Sequence, residues 1–518
     1  MGSVSPSPKR SITRDDIDAL RSLFASAGTQ ATLLTPTDGA SYEASIHRWS
    51  RAAEKPAGLV VVPTTAEEVA IALRYVSSQN LDLAVKGGGH STAGVSSTDG
   101  GLLIDLNAKM RGVEVVNVEV EVRDTDRNRR PGRLFKVQGG ATWGDVDQAG
   151  VRHGLATVGG TVADTGVGGL ILGGGYGWLS GQYGLSIDCL VEATVVLASG
   201  EIVKASDTEN ADLFWALRGA GQNFGVVTEF VLKAFDQGDV WAGLLIFPPV
   251  PEVIEKIVDA TNELYTADGK TNTNTKVAGR GAGGIAIARP PPAGGQVMIM
   301  VTIIYFGTED EARAMYKPLY DLEPVVDTTA MVPYPVVNTI LAPPIGLRAS
   351  MKGAAFSMPI RSGFVMEVLE NYTKFTEGND DTHVSLILWE IYDPAQVVAK
   401  GDEEESSFAN RGWHLNGLIC PLWTKTENDG VCRQWARDIN EMFKKELEMQ
   451  GKETGRGVDG GVGLRGKKGA VLLYGNYDQY DERSRDIFGE NYARLQALKA
   501  QYDPTSVFDK LFGIAPQA

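Results

Sequence analysis

A single histidine, His90, lies within the run Val85-Lys86-Gly87-Gly88-Gly89-His90-Ser91-Thr92-Ala93-Gly94. Three successive glycines free the backbone to turn consecutive N–H groups toward an anion, which side chains would otherwise obstruct. An imidazole at the rim of such a loop is a nucleophilic nitrogen able to bond an electrophilic cofactor carbon. Further along, Tyr474 and Tyr477 stand three residues apart around Gly475 and Asn476. On a strand this spacing sends the two phenols to opposite faces, so that one can meet a ligand while the other packs inward. A phenol can accept a substrate proton when a cationic or polar neighbour lowers its pKa from about 10.

Glycine recurs in two more blocks, Gly166-Val167-Gly168-Gly169-Leu170-Ile171-Leu172-Gly173-Gly174-Gly175-Tyr176-Gly177 and Arg218-Gly219-Ala220-Gly221-Gln222-Asn223-Phe224-Gly225. A lone glycine-rich stretch is weak as a nucleotide fingerprint. A Rossmann unit needs its glycines straight after the first strand. Here a strand at Leu59-Val60-Val61-Val62 is followed by Pro63-Thr64-Thr65, which caps a helix from about Glu67 to Ser78, and then by a short strand from Asp82 to Lys86. The glycines follow the second strand, so the dinucleotide fold is disfavoured.

At 518 residues the chain suits two domains. Its formal charge of −16 argues against nucleic acid or an anionic membrane as partner. Cys189, Cys420 and Cys432 have neither metal-ligand spacing nor a disulfide pattern, and read as plain thiols. Met1 to Asp18 lacks the apolar core of a secretory signal, and Pro6 stands where myristoylation wants Ser or Thr. No run approaches the ~18 apolar residues of a membrane span. The expected location is intracellular.

Ser11 to Asp16 reads as a helix cap and first turn, and 113–132 as a hairpin or surface loop. Beyond Gly238 the pattern changes: 251–265 and 309–320 are amphipathic helices, while 297–306 and 384–392 are strands. Two glycine-rich tracts, 278–295 and 451–469, read as loops. The expected class is α+β, with strands backed by helices.

Taken in order, the three glycine blocks resemble the FAD-binding half of the vanillyl-alcohol oxidase superfamily, with its PCMH-type fold, and most closely the berberine-bridge-enzyme-like branch. The resemblance continues through Tyr474-Gly475-Asn476-Tyr477, Asn491-Tyr492-Ala493-Arg494-Leu495 and Tyr502-Asp503-Pro504-Thr505-Ser506-Val507-Phe508. It implies an FAD-binding domain over 1–237, an inserted α+β substrate domain over 238–469, and a tail over 470–518 that returns to the first, with the active site between them.

The resemblance also implies that His90 attaches to the 8α-methyl of the flavin ring. Relatives that carry a second tether place a cysteine shortly before Gly-x-Gly-Gly. That position is Val162 in Thr161-Val162-Ala163-Asp164-Thr165, so attachment through His90 alone is expected. Thr165 falls at the family's small gate beside the flavin and tilts the choice toward an oxidase. Cofactor contacts are expected from Lys86, Gly87, Gly88, Gly89, Ser91, Gly140, Thr142, Thr165, Gly168, Gly169, Gly174, Gly175, Tyr474 and Asn476, with Pro63 to Glu67 near the adenosine end.

Counting from Phe408-Ala409-Asn410-Arg411, the polar positions that relatives carry on the substrate strand fall here near Gly417 and Ile419. An aliphatic side chain takes no proton. Tyr474 is then the first candidate for the base, followed by Glu390 and His414, with His383 and Asn416 also on nearby strands. Loss of polar groups argues against a sugar, whose hydroxyls need paired donors and acceptors. The expectation is an oxidase of a secondary metabolite, with O2 as acceptor, acting as a monomer or weak homodimer. The alternatives are a dehydrogenase with a non-oxygen acceptor and a flavin-bearing scaffold without net redox change.

Overall fold

In a computed structural model, the structure describes residues 8–118, 132–266, 275–401, 405–454, 471–480 and 482–517. The chain opens with the helix Arg14–Ser26, where Thr13 and Asp16 form a reciprocal cap at the residues expected. The strand Leu59–Val62 and the helix Ala66–Gln79, capped by the Thr65 hydroxyl, also fall where the pattern put them. Leu59–Val62, Leu102–Asp105 and Leu83–Lys86 run parallel, with Thr32–Leu34 antiparallel at the edge. A second, antiparallel sheet runs in the order Val113–Val118, Gly132–Gln138, Val226–Lys233, Leu190–Val196, Ile202–Ser206. Its first two strands flank 119–131, so the tip of the expected hairpin lies outside the described residues.

The third sheet has eight strands, all between residues 240 and 420, and every pairing in it is antiparallel. Its centre corrects the sequence reading. The tract 278–295 holds the strand Gly281–Ala288, paired to Met298–Tyr305 on one side and Leu386–Tyr392 on the other. Its glycines serve close approach: a side chain on Gly283 would strike the Thr302 carbonyl, and one on Gly284 that of Trp389. Glycine here marks neighbouring backbones, a signal that resembles a loop in sequence.

The alternation of the sheet sorts two environments. Leu245, Ile285, Ile287, Ile303, Ile387, Trp389 and Ile419 point into the larger core. There Trp389 meets Phe364 of the helix Ser362–Glu377 at 6.4 Å and Phe443 of the helix Asp429–Thr454 at 5.3 Å. The other face turns to a cavity. The helix expected over 309–320 is two, Glu309–Met315 and Lys317–Tyr320, with Pro318 at the start of the second. The helix Asp429–Thr454 runs into the tract 451–469, of which 455–469 lie outside the described residues.

Candidate active site

A cavity of about 650 Å³ lies between the glycine blocks and the eight-stranded sheet, a size ordinary for small-molecule sites. Gly87, Gly88, Gly89, His90 and Ser91 line one wall, and Thr165, Gly168 and Gly169 continue it. Gly88 and Gly166 pack backbone to backbone, since a side chain on either would strike the other. A side chain on Gly169 would meet only open space. At its glycines the wall is bare backbone, which would leave room for a cofactor to approach the main chain.

The His90 imidazole is held on both sides. Nε2 pairs with Asp164 Oδ1 at 2.9 Å, and the Trp49 ring stacks on it with centroids 5.2 Å apart and planes 16° apart. Burial raises the Asp164 carboxyl, but the hydrogen bond from His90, the charge of that ring and a backbone hydrogen bond together outweigh it and lower the pKa overall. In the tautomer that donates its N–H from Nε2 to Asp164, the ring keeps the lone pair on Nδ1. Nothing in the local sequence singles out Trp49, which lies far from His90 along the chain.

Opposite, Leu244, Ile246, Ala286, Ala288, Met300, Leu386, Leu388, Glu390, Leu418 and Cys420 face the cavity. Glu390 is the only carboxyl on that face among the described residues. Its two oxygens accept the Tyr477 hydroxyl at 2.9 and 3.0 Å. Burial without a cation pushes its pKa up to about 7, with the Tyr477 bond lowering it in part. The register pairs Leu388 with Leu418 and Leu386 with Cys420, so residues 418 and 420 share the cavity face. Counting to 417 and 419 therefore landed one residue off, and Ile419 is a core residue on the far side.

Tyr474 and Tyr477 do not occupy a strand. They bracket a tight turn closed by Tyr477 N–H to Tyr474 O at 2.9 Å, and their rings meet edge to face at 5.0 Å. Both line the cavity, as does Asn476, which corrects the expectation of opposite faces. The Tyr474 hydroxyl accepts the Asn476 amide at 2.9 Å and, at 3.4 Å, the Tyr176 N–H; burial nonetheless pushes its pKa up to about 12. Gln479 ties this turn to the His90 loop, accepting Ser91 Oγ at 2.9 Å and donating to the Asn476 carbonyl at 2.9 Å.

Six expected residues lie off the cavity wall. The Lys86 ammonium points inward to the carbonyl of Ser45 at 3.1 Å and to Asp105 at 3.3 Å. Gly140 packs on the Leu106 carbonyl, and Thr142 caps the helix Trp143–Val151 through a reciprocal bond with Asp145. Gly174 (φ +111°) lies against Phe408, and Gly175 (φ +84°) against Ser186. His414 is buried with neither ring nitrogen bonded, and burial lowers its pKa to about 4. Of the remaining base candidates, His383 pairs with Asp380 at the surface and Asn416 bonds the Tyr392 hydroxyl. Val162, by contrast, does line the cavity.

Backbone-lined wall, positioned histidine and facing sheet fit a flavoprotein. Residues 57–206 match the family model for an FAD binding domain, and 473–514 that for berberine and berberine-like proteins. An FAD-linked oxidoreductase of Aspergillus terreus is 30% identical over 98% of this chain and 97% of its own. An FAD-dependent monooxygenase of Cochliobolus heterostrophus is 38% identical over 92% and 88%. Among solved structures, 6-hydroxy-D-nicotine oxidase of Arthrobacter nicotinovorans superposes with a TM-score of 0.73 at 25% identity, covering 94% of this chain and 98% of that one. Glucooligosaccharide oxidase of Acremonium strictum, described with a 6-S-cysteinyl, 8α-N1-histidyl FAD, superposes at 0.70 with 20% identity, covering 96% and 99%. The chain belongs to the berberine-bridge-enzyme-like family and is an FAD-dependent oxidoreductase. Among the described residues, no helix is long and apolar enough to cross a membrane.

Proposed function

We propose that the protein is an oxidase of an apolar small molecule, such as a secondary metabolite, that carries one ionisable hydroxyl or amine beside the C–H bond it breaks. The observation that carries this is Glu390: one carboxyl of raised pKa, bonded to Tyr477, on a cavity face lined mostly by apolar side chains. A face with one proton acceptor suits a substrate with one proton to give. It does not suit a sugar, whose other hydroxyls would lose their hydrogen bonds on entry.

His90 alone would hold FAD covalently, and the bound flavin would supply the acceptor for the hydride. Asp164, by holding the imidazole through Nε2, would leave Nδ1 as the attaching atom, and Val162 offers no thiol for a second bond. Glu390 takes the hydroxyl or amine proton as the C–H bond breaks, and Tyr477 holds the carboxylate in place by its hydrogen bond. Tyr474 keeps its proton at neutral pH and packs the turn. The apolar strands exclude water from the reacting face.

The relative named as a monooxygenase makes the fate of oxygen the point to test. Metabolites are screened anaerobically for bleaching of the flavin band, and the active one is then turned over in air. One H2O2 per substrate oxidised supports the oxidase. Oxygen incorporated into product, or reoxidation that needs an added acceptor, sinks it.

A further inference from the structure

The cavity face of the eight-stranded sheet runs from a buried end to an open one. Along the strand Leu386–Tyr392, Glu390 and Leu388 are buried, Leu386 is half-buried, and Val384, just before the strand, is 43% exposed. All four line the cavity. From Glu390 to Leu386 the strand rises roughly 13 Å at about 3.3 Å per residue, and Val384 lies beyond. The flanks of this run are apolar as well. Leu418 pairs with Leu388 and Cys420 with Leu386, while on the other side Ala286 pairs with both Leu388 and Met300. The short Ala286 side chain between two long ones makes the run a trough. At its open end, residues 340–344 line the cavity and the next residue, Ile345, is 70% exposed. Leu347 packs in one cluster with Leu386, Cys420 and Trp49, which brings this loop to the Val384 end. The charged residues that flank this end in sequence are engaged elsewhere: Arg289 donates to Thr376 Oγ1 at 2.9 Å and to the Gly295 carbonyl at 2.7 Å, and His383 pairs with Asp380. In a chain of formal charge −16 the cavity therefore opens through apolar side chains.

We propose that the substrate carries a long apolar chain, of alkyl or prenyl type, that lies along this run and leaves the cavity between Val384 and the 340–345 loop. The proposal rests on Glu390 as the group that meets the reacting end, and it names the part of the substrate which that reading leaves open. A compact substrate would occupy the Glu390 end alone and leave the remaining apolar run in water, which is unfavourable in proportion to its area. A chain covers the run. By the geometry of single C–C bonds, about ten extended carbons span it. Exposed apolar side chains continuous with a cavity mark a binding groove more than scattered ones do, and Val384 and Ile345 stand where such a chain would emerge.

Anaerobic titration calorimetry of the full-length, FAD-loaded protein with primary n-alkanols, from butanol to dodecanol, tests this. In wild type the Kd should fall by up to about fourfold per added methylene as far as about ten carbons, and then level off. Val384→Asp places a charge at the exit, so its series should level off earlier and the Kd of dodecanol should rise by about tenfold over wild type. Ile345→Asp should act in the same sense from the loop. Both side chains are exposed, so neither change disturbs the core. Binding is read here without oxygen or turnover, so a missing H2O2 yield would count against the oxidase reading and leave the chain-length series standing. A Kd independent of chain length in wild type, or the same series in wild type and both variants, overturns the proposal. A flat series accompanied by concentration-dependent dimers that Val384→Asp dissolves would give the apolar rim to a second copy of the chain and overturn it too.

Discussion

Glu390 and Tyr474 separate once their surroundings are compared. Both are buried against the cavity, but burial brings the carboxyl to about pH 7 while leaving the phenol near 12. Only the first can exchange a proton with a substrate near neutrality. Glu390→Gln keeps the shape and removes the base, so anaerobic flavin reduction by the substrate should slow by about 10²- to 10⁴-fold. In wild type, kcat/KM should climb with pH up to about 7, where the carboxyl becomes ionised, and then flatten. That bend should be absent in Glu390→Gln. Tyr474→Phe should change the rate far less, and a loss equal to that of Glu390→Gln would return the base to the phenol. His90→Ala should release all flavin on acid denaturation. Because Val162 lines the cavity, Val162→Cys in that background should restore attachment. Flavin lost completely from the double variant would mean that residue 162 does not approach the ring.

At the scale of elements, what the sequence disclosed and what it hid have one physical cause. Helix caps are local, so Thr13 with Asp16 and Thr65 with Glu68 were readable from a few neighbouring residues. The His90 loop was readable for the same reason, its glycines and nucleophile being contiguous. Trp49 on His90, Gln479 on Ser91 and Tyr477 on Glu390 are contacts between distant segments, and no periodicity encodes them. Strand parity was misjudged at 417 and 419 because a count from a motif through a loop drifts by one residue, and one residue exchanges the faces. The strand Gly281–Ala288 was missed because its glycines answer to neighbouring strands. Replacing Gly283 by Val sets a side chain against the Thr302 carbonyl at the centre of the sheet. Overpacking of this kind should cost about 1–3 kcal/mol, read as a lower denaturant midpoint. An unchanged midpoint would mean that the two strands do not approach as closely as described.

Across the whole molecule, the cavity is walled by segments from along the whole chain: the His90 loop, the second glycine block, the eight-stranded sheet and residues 474–479 and 507–511. A cofactor filling it would touch several of them at once, which would link holding FAD to holding the fold together. With the proposed attachment through His90, that contribution in wild type would be independent of free flavin. In His90→Ala the stabilisation should follow mass action and grow as RT ln(1 + [FAD]/Kd), about 2.7 kcal/mol at a hundredfold excess over Kd. Thermal unfolding of His90→Ala should therefore begin well below wild type and rise with added FAD, while the wild-type Tm stays fixed. Gln479→Ala in the same background cuts the tie between the turn at 474–477 and the His90 loop, and should weaken the response to FAD. An unfolding temperature in His90→Ala that ignores FAD concentration would show that the segments hold their arrangement without the cofactor.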